Sequence, residues 1–199
     1  PLTTISTSIQ LLRDYGRKWD DSKYFQHIDR IVKTIDNLTE LINDVLLVSK
    51  VESGKIEFKP CLENLNAFCY KLVEEFKNDF AKNHIIDYNY KAEKNEYYFD
   101  TKLLRSIITN LLTNAVKYSS FGEVITINVE NDERFIRIFI IDNGIGISEE
   151  DLEHLFEPFH RGNNVADISG TGLGMSIIKR YIEIHKGNVE VKSKLNKGT

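Results

Sequence analysis

Between residues 22 and 51 the chain places apolar side chains at Ile28, Ile31, Ile35, Leu38, Ile42 and Val45, spaced 3, 4, 3, 4 and 3. That spacing keeps one seam on one side of an α-helix over most of three heptads, the pattern of helices that pack along their length. Residues 1 to about 14 repeat it with Leu2, Ile5, Ile9 and Leu12. Tyr15-Gly16-Arg17-Lys18 reads as a polar turn between the two helices. Asp20 and Asp21 are candidate N-caps for the second helix, and Ser53-Gly54 is its end. Two seamed helices with a short connection predict an antiparallel hairpin over residues 1–53. A hairpin alone buries one face poorly, so pairing with a second copy, as a dimeric four-helix bundle, is the economical solution. The alternative is that the seam packs on the chain's own second domain.

From residue 54 to 199 the character changes. Short strands are predicted at Lys55–Phe58, Ile85–Tyr90, Tyr97–Phe99, Val124–Val129 and Phe135–Ile141, and a last one begins at Val189–Val191. Helices are predicted at Leu65–Phe80, Thr101–Tyr118 and Leu173–His185. Such an order indicates an α+β domain, a sheet covered by helices on one face. Hydrophobic residues make up 41% of the 199, enough for a core. The net charge of −4 and the lack of a basic stripe argue against a nucleic-acid partner. Apolar runs such as Ile138–Ile141 are far too short to span a bilayer. A cytoplasmic protein without direct membrane contact is expected over these residues, and an anchor upstream of Pro1 is compatible with it. Cys61 and Cys69, the two cysteines, read as reduced cytosolic thiols without metal-site company.

Three constellations carry chemistry. Asn110, Asn114 and Lys117 lie at i, i+4 and i+7, on one helix face, with Tyr118 next to them. An amide oxygen is a hard ligand suited to Mg²⁺, and a lysine meets phosphate as a point charge. Alone, the same pattern fits a solvated polar stripe. Asp142-Asn143-Gly144-Ile145-Gly146-Ile147 follows an apolar strand. A carboxylate there can accept a hydrogen bond from an exocyclic amine, and the glycines let backbone approach a planar base. Alone, it also fits a plain turn. Gly170-Thr171-Gly172-Leu173-Gly174 opens a helix and exposes N–H groups to anions, without the Walker lysine. Between the last two lies Phe156-Glu157-Pro158-Phe159-His160-Arg161, then a polar, small-residue stretch from Gly162 to Ser169 suited to a lid. Arg161 is a candidate phosphate contact, and Phe156 and Phe159 are expected in the core.

In this order, over about 65 residues, these boxes resemble the histidine kinase catalytic domain, in the superfamily shared with gyrase, heat-shock chaperone and mismatch-repair ATPases. The resemblance covers essentially the whole chain, hairpin included. It implies a Bergerat-type α/β sandwich whose mixed sheet carries ATP on its helical face, under a lid. It further implies Asn114 as the Mg²⁺ ligand with Asn110 in support, and Lys117 and Tyr118 as nucleotide contacts. Asp142 takes the place of the adenine-reading carboxylate, with Gly144, Gly146 and Ile147 beside the base. Phe156 and Phe159 match the aromatic box, and Gly170 to Gly174 match the end of the lid. A response-regulator receiver domain is the implied partner, and its aspartate the final acceptor of the phosphoryl group.

Pro1-Leu2-Thr3 resembles the end of the phospho-acceptor box His-Glu-Leu-Arg-Thr-Pro-Leu, which puts the acceptor histidine five residues before Pro1. On that reading these 199 residues alone do not autophosphorylate. One further strand is expected after Thr199. Two alternatives are a hydrolase of the same superfamily and a non-catalytic dimeric scaffold. The hydrolases resemble one another in a Glu four residues before the Mg²⁺-binding Asn; here that position is Asn110, and an amide is no general base.

Overall fold

The computed structural model describes residues 1–52, 56–79, 81, 83–132, 134–162, 165 and 170–199. They form two compact units, a helical one over 1–52 joined by 170–171, and an α+β one over the rest.

In the helical unit, α1 (Leu2–Tyr15) leads through a 3₁₀ turn (Gly16–Lys18) into α2 (Asp21–Glu52), and α2 packs back on α1. Asp20 caps the second helix, its carboxylate accepting from Lys23 N–H at 2.8 Å. The expected end at Ser53-Gly54 lies outside the described residues. The seam divides into two sets. Ile5, Leu12, Ile28, Ile31 and Leu38 are partly buried, whereas Leu2, Ile9, Ile35, Ile42 and Val45 are exposed, together with Val32 and Leu46. On α1 the covered and exposed positions alternate along the seam, whereas on α2 cover is concentrated in the N-terminal half, at Ile28, Ile31 and Leu38, and Ile42 and Val45 beyond them are exposed.

The α+β unit contains β1 (Cys61–Asn64), α3 (Leu65–Asp79), β2 (Ile85–Tyr90), β3 (Glu96–Phe99), α4 (Thr101–Tyr118), β4 (Val124–Asn131), β5 (Ile136–Ile141), α5 (Glu149–His154) and α6 (Gly174–Ile184). A mixed sheet runs β2-β4-β5, parallel between β2 and β4 and antiparallel between β4 and β5. β1 and β3 form a separate antiparallel ladder that pairs Cys61 with Phe99. Ile125, Ile127 and Val129 point to one face of β4, as period two requires. There they meet Leu65, Cys69, Leu72, Val73 and Phe76 of α3, and Ile108, Leu112 and Ala115 of α4. Both helices therefore cover the same face.

Three expectations change. Of the strand expected at Lys55–Phe58, Lys55 lies outside the described residues and 56–58 form no strand: β1 begins at Cys61, and the Lys59 N–H is held by the Asp100 carboxylate at 2.8 Å instead of a ladder. No ladder forms at Val189–Val191. Burial there alternates as in a strand, but strand assignment requires a hydrogen-bonded neighbour, and among the described residues none pairs with this segment. The short helix α5 has no counterpart among the predicted elements. Its signal is legible in Ser148-Glu149-Glu150-Asp151, where the Ser148 hydroxyl accepts from the Asp151 N–H at 3.1 Å and three acids fill the first turn.

Leu112 has no exposed surface and lies between α4 and the sheet. Leu112→Ala is expected to lower unfolding free energy by about 2–5 kcal/mol, measured by urea denaturation; a loss under ~1 kcal/mol would show that the core is not organised around it.

Candidate nucleotide-binding site

The site is assembled around α4. Asp100 starts the helix, its side chain accepting from Lys102 N–H at 3.0 Å and Leu103 N–H at 3.1 Å. One stripe of the helix is lost to the core, and Asn110, Asn114, Lys117 and Tyr118 form a half-buried polar stripe beside it. The Asn110 amide nitrogen donates to the Ser106 carbonyl at 2.9 Å. The Asn114 amide nitrogen makes a long contact of 3.7 Å to the Met175 sulfur. Both amide oxygens are left without a hydrogen-bond donor among the described residues, and they are the atoms a hard cation would take. Lys117 has its ammonium 5.1 Å from the centre of the Tyr118 ring and no carboxylate in ion-pair range among the described residues. The two amide oxygens and the ammonium lie along one stripe with no hydrogen-bond or ion-pair partner among the described residues.

The turn after β5 rests on the C-terminal end of α4. Ile145 N–H donates to the Tyr118 carbonyl at 3.1 Å, satisfying an acceptor that the helix leaves open. A Cβ on Gly144 would overlap that same carbonyl. Gly146 has φ +66 and leaves no room for a Cβ beside the Lys194 carbonyl, so both glycines are required by close approach. Asp142 is half-buried, with its carboxylate accepting from Gly144 N–H at 2.8 Å and its backbone paired to Thr199 in both directions. Ile147 is held by the Ser193 hydroxyl, which accepts from its N–H at 2.8 Å.

The glycine turn closes the third side. Leu173 is fully buried, and α6 begins at Gly174, where an added Cβ would lie 3.8 Å from the Asn110 amide oxygen. Gly172 has φ +73 and accepts from Phe159 N–H at 3.0 Å. The fold thus brings the two asparagines, the Asp142 turn and Gly172–Gly174 to one helix, although they are spread over about 65 residues of chain.

Gly170 and Thr171 instead group with the helical unit. Phe156 is half-buried, with the Lys179 ammonium 5.5 Å from its ring. Phe159 is not a core residue: it is 64% exposed with φ +65, because its backbone is committed to Gly172 and turns the side chain outward. Arg161 is exposed and donates to the Val165 carbonyl at 2.8 Å. Of the stretch expected as a lid, residues 163–164 and 166–169 lie outside the described residues.

Residues 99–199 match the histidine kinase-, DNA gyrase B- and HSP90-like ATPase family, and residues 1–54 match the His Kinase A (phospho-acceptor) domain. The chain is 31% identical over 201 residues to the sensor histidine kinase YvrG of Bacillus subtilis, covering all of this chain and 35% of that protein. It is 33% identical over 211 residues to the sensor protein RprX of Bacteroides fragilis, covering all of this chain and 39% of that protein. The Acinetobacter baumannii histidine kinase AdeS has the same fold, with a TM-score of 0.76 at 23% identity over all of this chain and 91% of that one. So has the histidine kinase ThkA, solved in complex with the response regulator protein TrrA, with a TM-score of 0.78 at 22% identity over all of this chain and 55% of that one.

With a phospho-acceptor domain match followed by an ATPase-family match over half of its length, the chain belongs to the sensor histidine kinase family. It spans between 15% and 39% of the length of these and other curated relatives. Among the described residues, no helix is long and apolar enough to cross a membrane.

Burial pushes the Asp142 carboxyl above the usual carboxylate range, against the opposing pull of its N–H donors from Gly144 and Thr199. The folded chain therefore binds that proton more tightly than the unfolded chain, and stability falls as pH rises through the raised value. Asp142→Asn is expected to unfold at higher urea than the unaltered protein at neutral pH. The gap should close as pH drops below the carboxylate range; a gap that widens in acid would refute this reading of the site.

Proposed function

We propose that the whole protein is a protein-histidine kinase of a two-component system. It takes the γ-phosphoryl group of ATP onto a histidine upstream of Pro1, and that group then goes to an aspartate of a response-regulator receiver domain. The observation that carries this reading is the open polar stripe on α4, two free amide oxygens and an ammonium beside the Asp142 turn. Bound ATP-Mg²⁺ supplies the phosphoryl group and part of the charge neutralisation, and the protein's contribution is positioning and electrostatics. Asn114 offers its oxygen to the metal and Asn110 supports it. Lys117 meets phosphate. The Asp142 carboxylate accepts from the adenine amine, while Gly144 and Gly146 keep the backbone flat against the base, with Ile147 and Tyr118 alongside. Leu173 and Gly174, at the start of α6, and Gly172 before them hold the phosphate end, with Phe156 and Phe159, Arg161, Gly170 and Thr171 as the remaining contacts. A hydrolytic reading is not favoured: the Asn110 amide has no basic lone pair, and its nitrogen is used on Ser106.

We assign residues 1–53 as the dimerisation hairpin and 54–199 as the catalytic domain. The two-copy bundle is supported by the apolar stripe that α2 leaves exposed, with Val32 at 50%, Ile35 at 47% and Ile42 at 53% exposure.

Asn114→Ala is expected to weaken Mg²⁺-dependent ATP binding at least about tenfold, since a hydrogen bond or ligand contact to a charged group contributes ~1.5–3 kcal/mol. Asp142→Asn should cost adenine selectivity over guanine. Unchanged ATP affinity by calorimetry in both variants would remove the site. Replacing Ile35 and Ile42 together with Lys should weaken self-association at least about a hundredfold while leaving ATP binding intact. Sedimentation that finds the same oligomer in the variant would sink the bundle.

A further inference from the structure

Two hydrogen bonds define the state of His185 at the end of α6. Its Nδ1 lies 2.8 Å from the Tyr181 carbonyl oxygen, and its Nε2 lies 3.2 Å from the Asp100 backbone nitrogen. A carbonyl can only accept and an amide N–H can only donate. Nδ1 therefore carries the proton, and Nε2 presents its lone pair, so the imidazole is neutral in this arrangement.

Asp100 is 5% exposed and its carboxylate takes three backbone N–H donors. Oδ1 accepts from Lys102 and Leu103 N–H, and Oδ2 accepts from Lys59 N–H at 2.8 Å. Burial works against its ionisation, but those three donors hold the carboxyl below the ordinary range, so it stays charged in mild acid. The Phe58 ring closes edge-on against the imidazole, with centroids 4.9 Å apart. The start of α4, the end of α6 and the segment 56–60 thus meet on one histidine and one aspartate. In sequence, that segment comes after the helical unit, and α4 is the helix that carries Asn110, Asn114 and Lys117.

We propose that His185 and Asp100 are positioning residues that clamp segment 56–60 to the start of α4, and that the clamp holds only while His185 is neutral with its proton on Nδ1. Its effect on nucleotide rests on the reading of α4 given above; the clamp itself does not. Protonation places an N–H at Nε2 opposite the Asp100 N–H, so two donors face each other and the bond is lost. The imidazolium is then drawn to the Asp100 carboxylate, where it competes with the N–H groups of Lys59, Lys102 and Leu103. Of the charged side chains on the elements that meet here, Lys59 is paired with Glu57 at 2.7 Å and Glu183 with Arg180 at 3.0 Å, while Lys102 and Lys186 have no ion-pair partner among the described residues. Acid therefore loosens the cap of α4 and the docking of 56–60 together.

The test uses the whole chain, unaltered and as His185→Gln, whose side-chain carbonyl can accept from the Asp100 N–H but cannot be protonated. Nitrogen NMR of the imidazole should report the Nδ1–H form at neutral pH; an Nε2–H form overturns the proposal. Amide exchange at Lys59, Asp100 and Leu103, corrected for intrinsic rates, should speed at least about tenfold in the unaltered chain between neutral pH and the pH at which NMR shows the imidazole doubly protonated. It should stay flat in His185→Gln; an equal response in both overturns the clamp. His185→Phe, which has no acceptor, should exchange fast at both pH values, and slow exchange there also counts against it. ATP affinity should fall in acid for the unaltered chain and less for His185→Gln. Affinity that ignores pH while exchange responds overturns the link to α4. Absence of ATP binding at any pH would instead defeat the nucleotide reading, with the tautomer and exchange results still deciding the clamp.

Discussion

Helix α4 has to satisfy two incompatible environments along its length. Ile108, Leu112 and Ala115 are buried against β4 and α3, while Asn110, Asn114 and Lys117 lie on the adjoining stripe. Burial of the first set anchors the helix, and the anchoring keeps three polar side chains half-buried, with the two amide oxygens and the ammonium unpaired among the described residues. Loop backbone then organises on the helix: Ile145 N–H on the Tyr118 carbonyl, and Gly174 beside Asn110. The loop after β5 approaches α4 closely enough that a Cβ at Gly144 would collide with the Tyr118 carbonyl. Gly144 is thus a consequence of the helix position, whereas Gly146 is set by the Lys194 backbone and Gly172 by the backbone of Phe159 and His160.

The same helix links the ends of the α+β unit. Its cap, Asp100, also binds the Lys59 N–H and lies next to His185, so capping, the docking of 56–60 and the close of α6 share one carboxylate. A cap commonly contributes about 1 kcal/mol. Here it does so at 5% exposure with three N–H donors, a network in which loss of one partner leaves the others unsatisfied.

Much is legible in the residues themselves. The limits of β2 and α4 agree with the alternation at Ile85–Tyr90 and the helical period at Thr101–Tyr118. Periodicity reports on side chains, and these elements have one clear buried face. Features decided by backbone partners are not legible in that way. β1 lies at Cys61–Asn64 because its ladder partner is β3, and the 189–191 run stays outside any ladder because it pairs with no strand among the described residues. Phe159 reads as core from its hydrophobicity, yet its N–H is bonded to Gly172 and its ring is exposed. The Ser148 cap of α5 is present in the residues, but a helix of only 6 residues is too short to show a period behind it.

The sequence by itself determined that a heptad-seamed helical pair precedes an α+β unit, and which residue types could bind nucleotide. Those follow from local period and residue chemistry, which act within a few turns of chain. Tertiary structure alone decided which half of the seam is covered, with Ile28, Ile31 and Leu38 turned inward and Ile35, Ile42 and Val45 left outside. It also decided that Asn110 meets Gly174, that Tyr118 meets Gly144, and that His185 takes the Asp100 N–H. Those pairs are separated by tens of residues, and only the packing of α4 between sheet and α6 brings them within reach of one another.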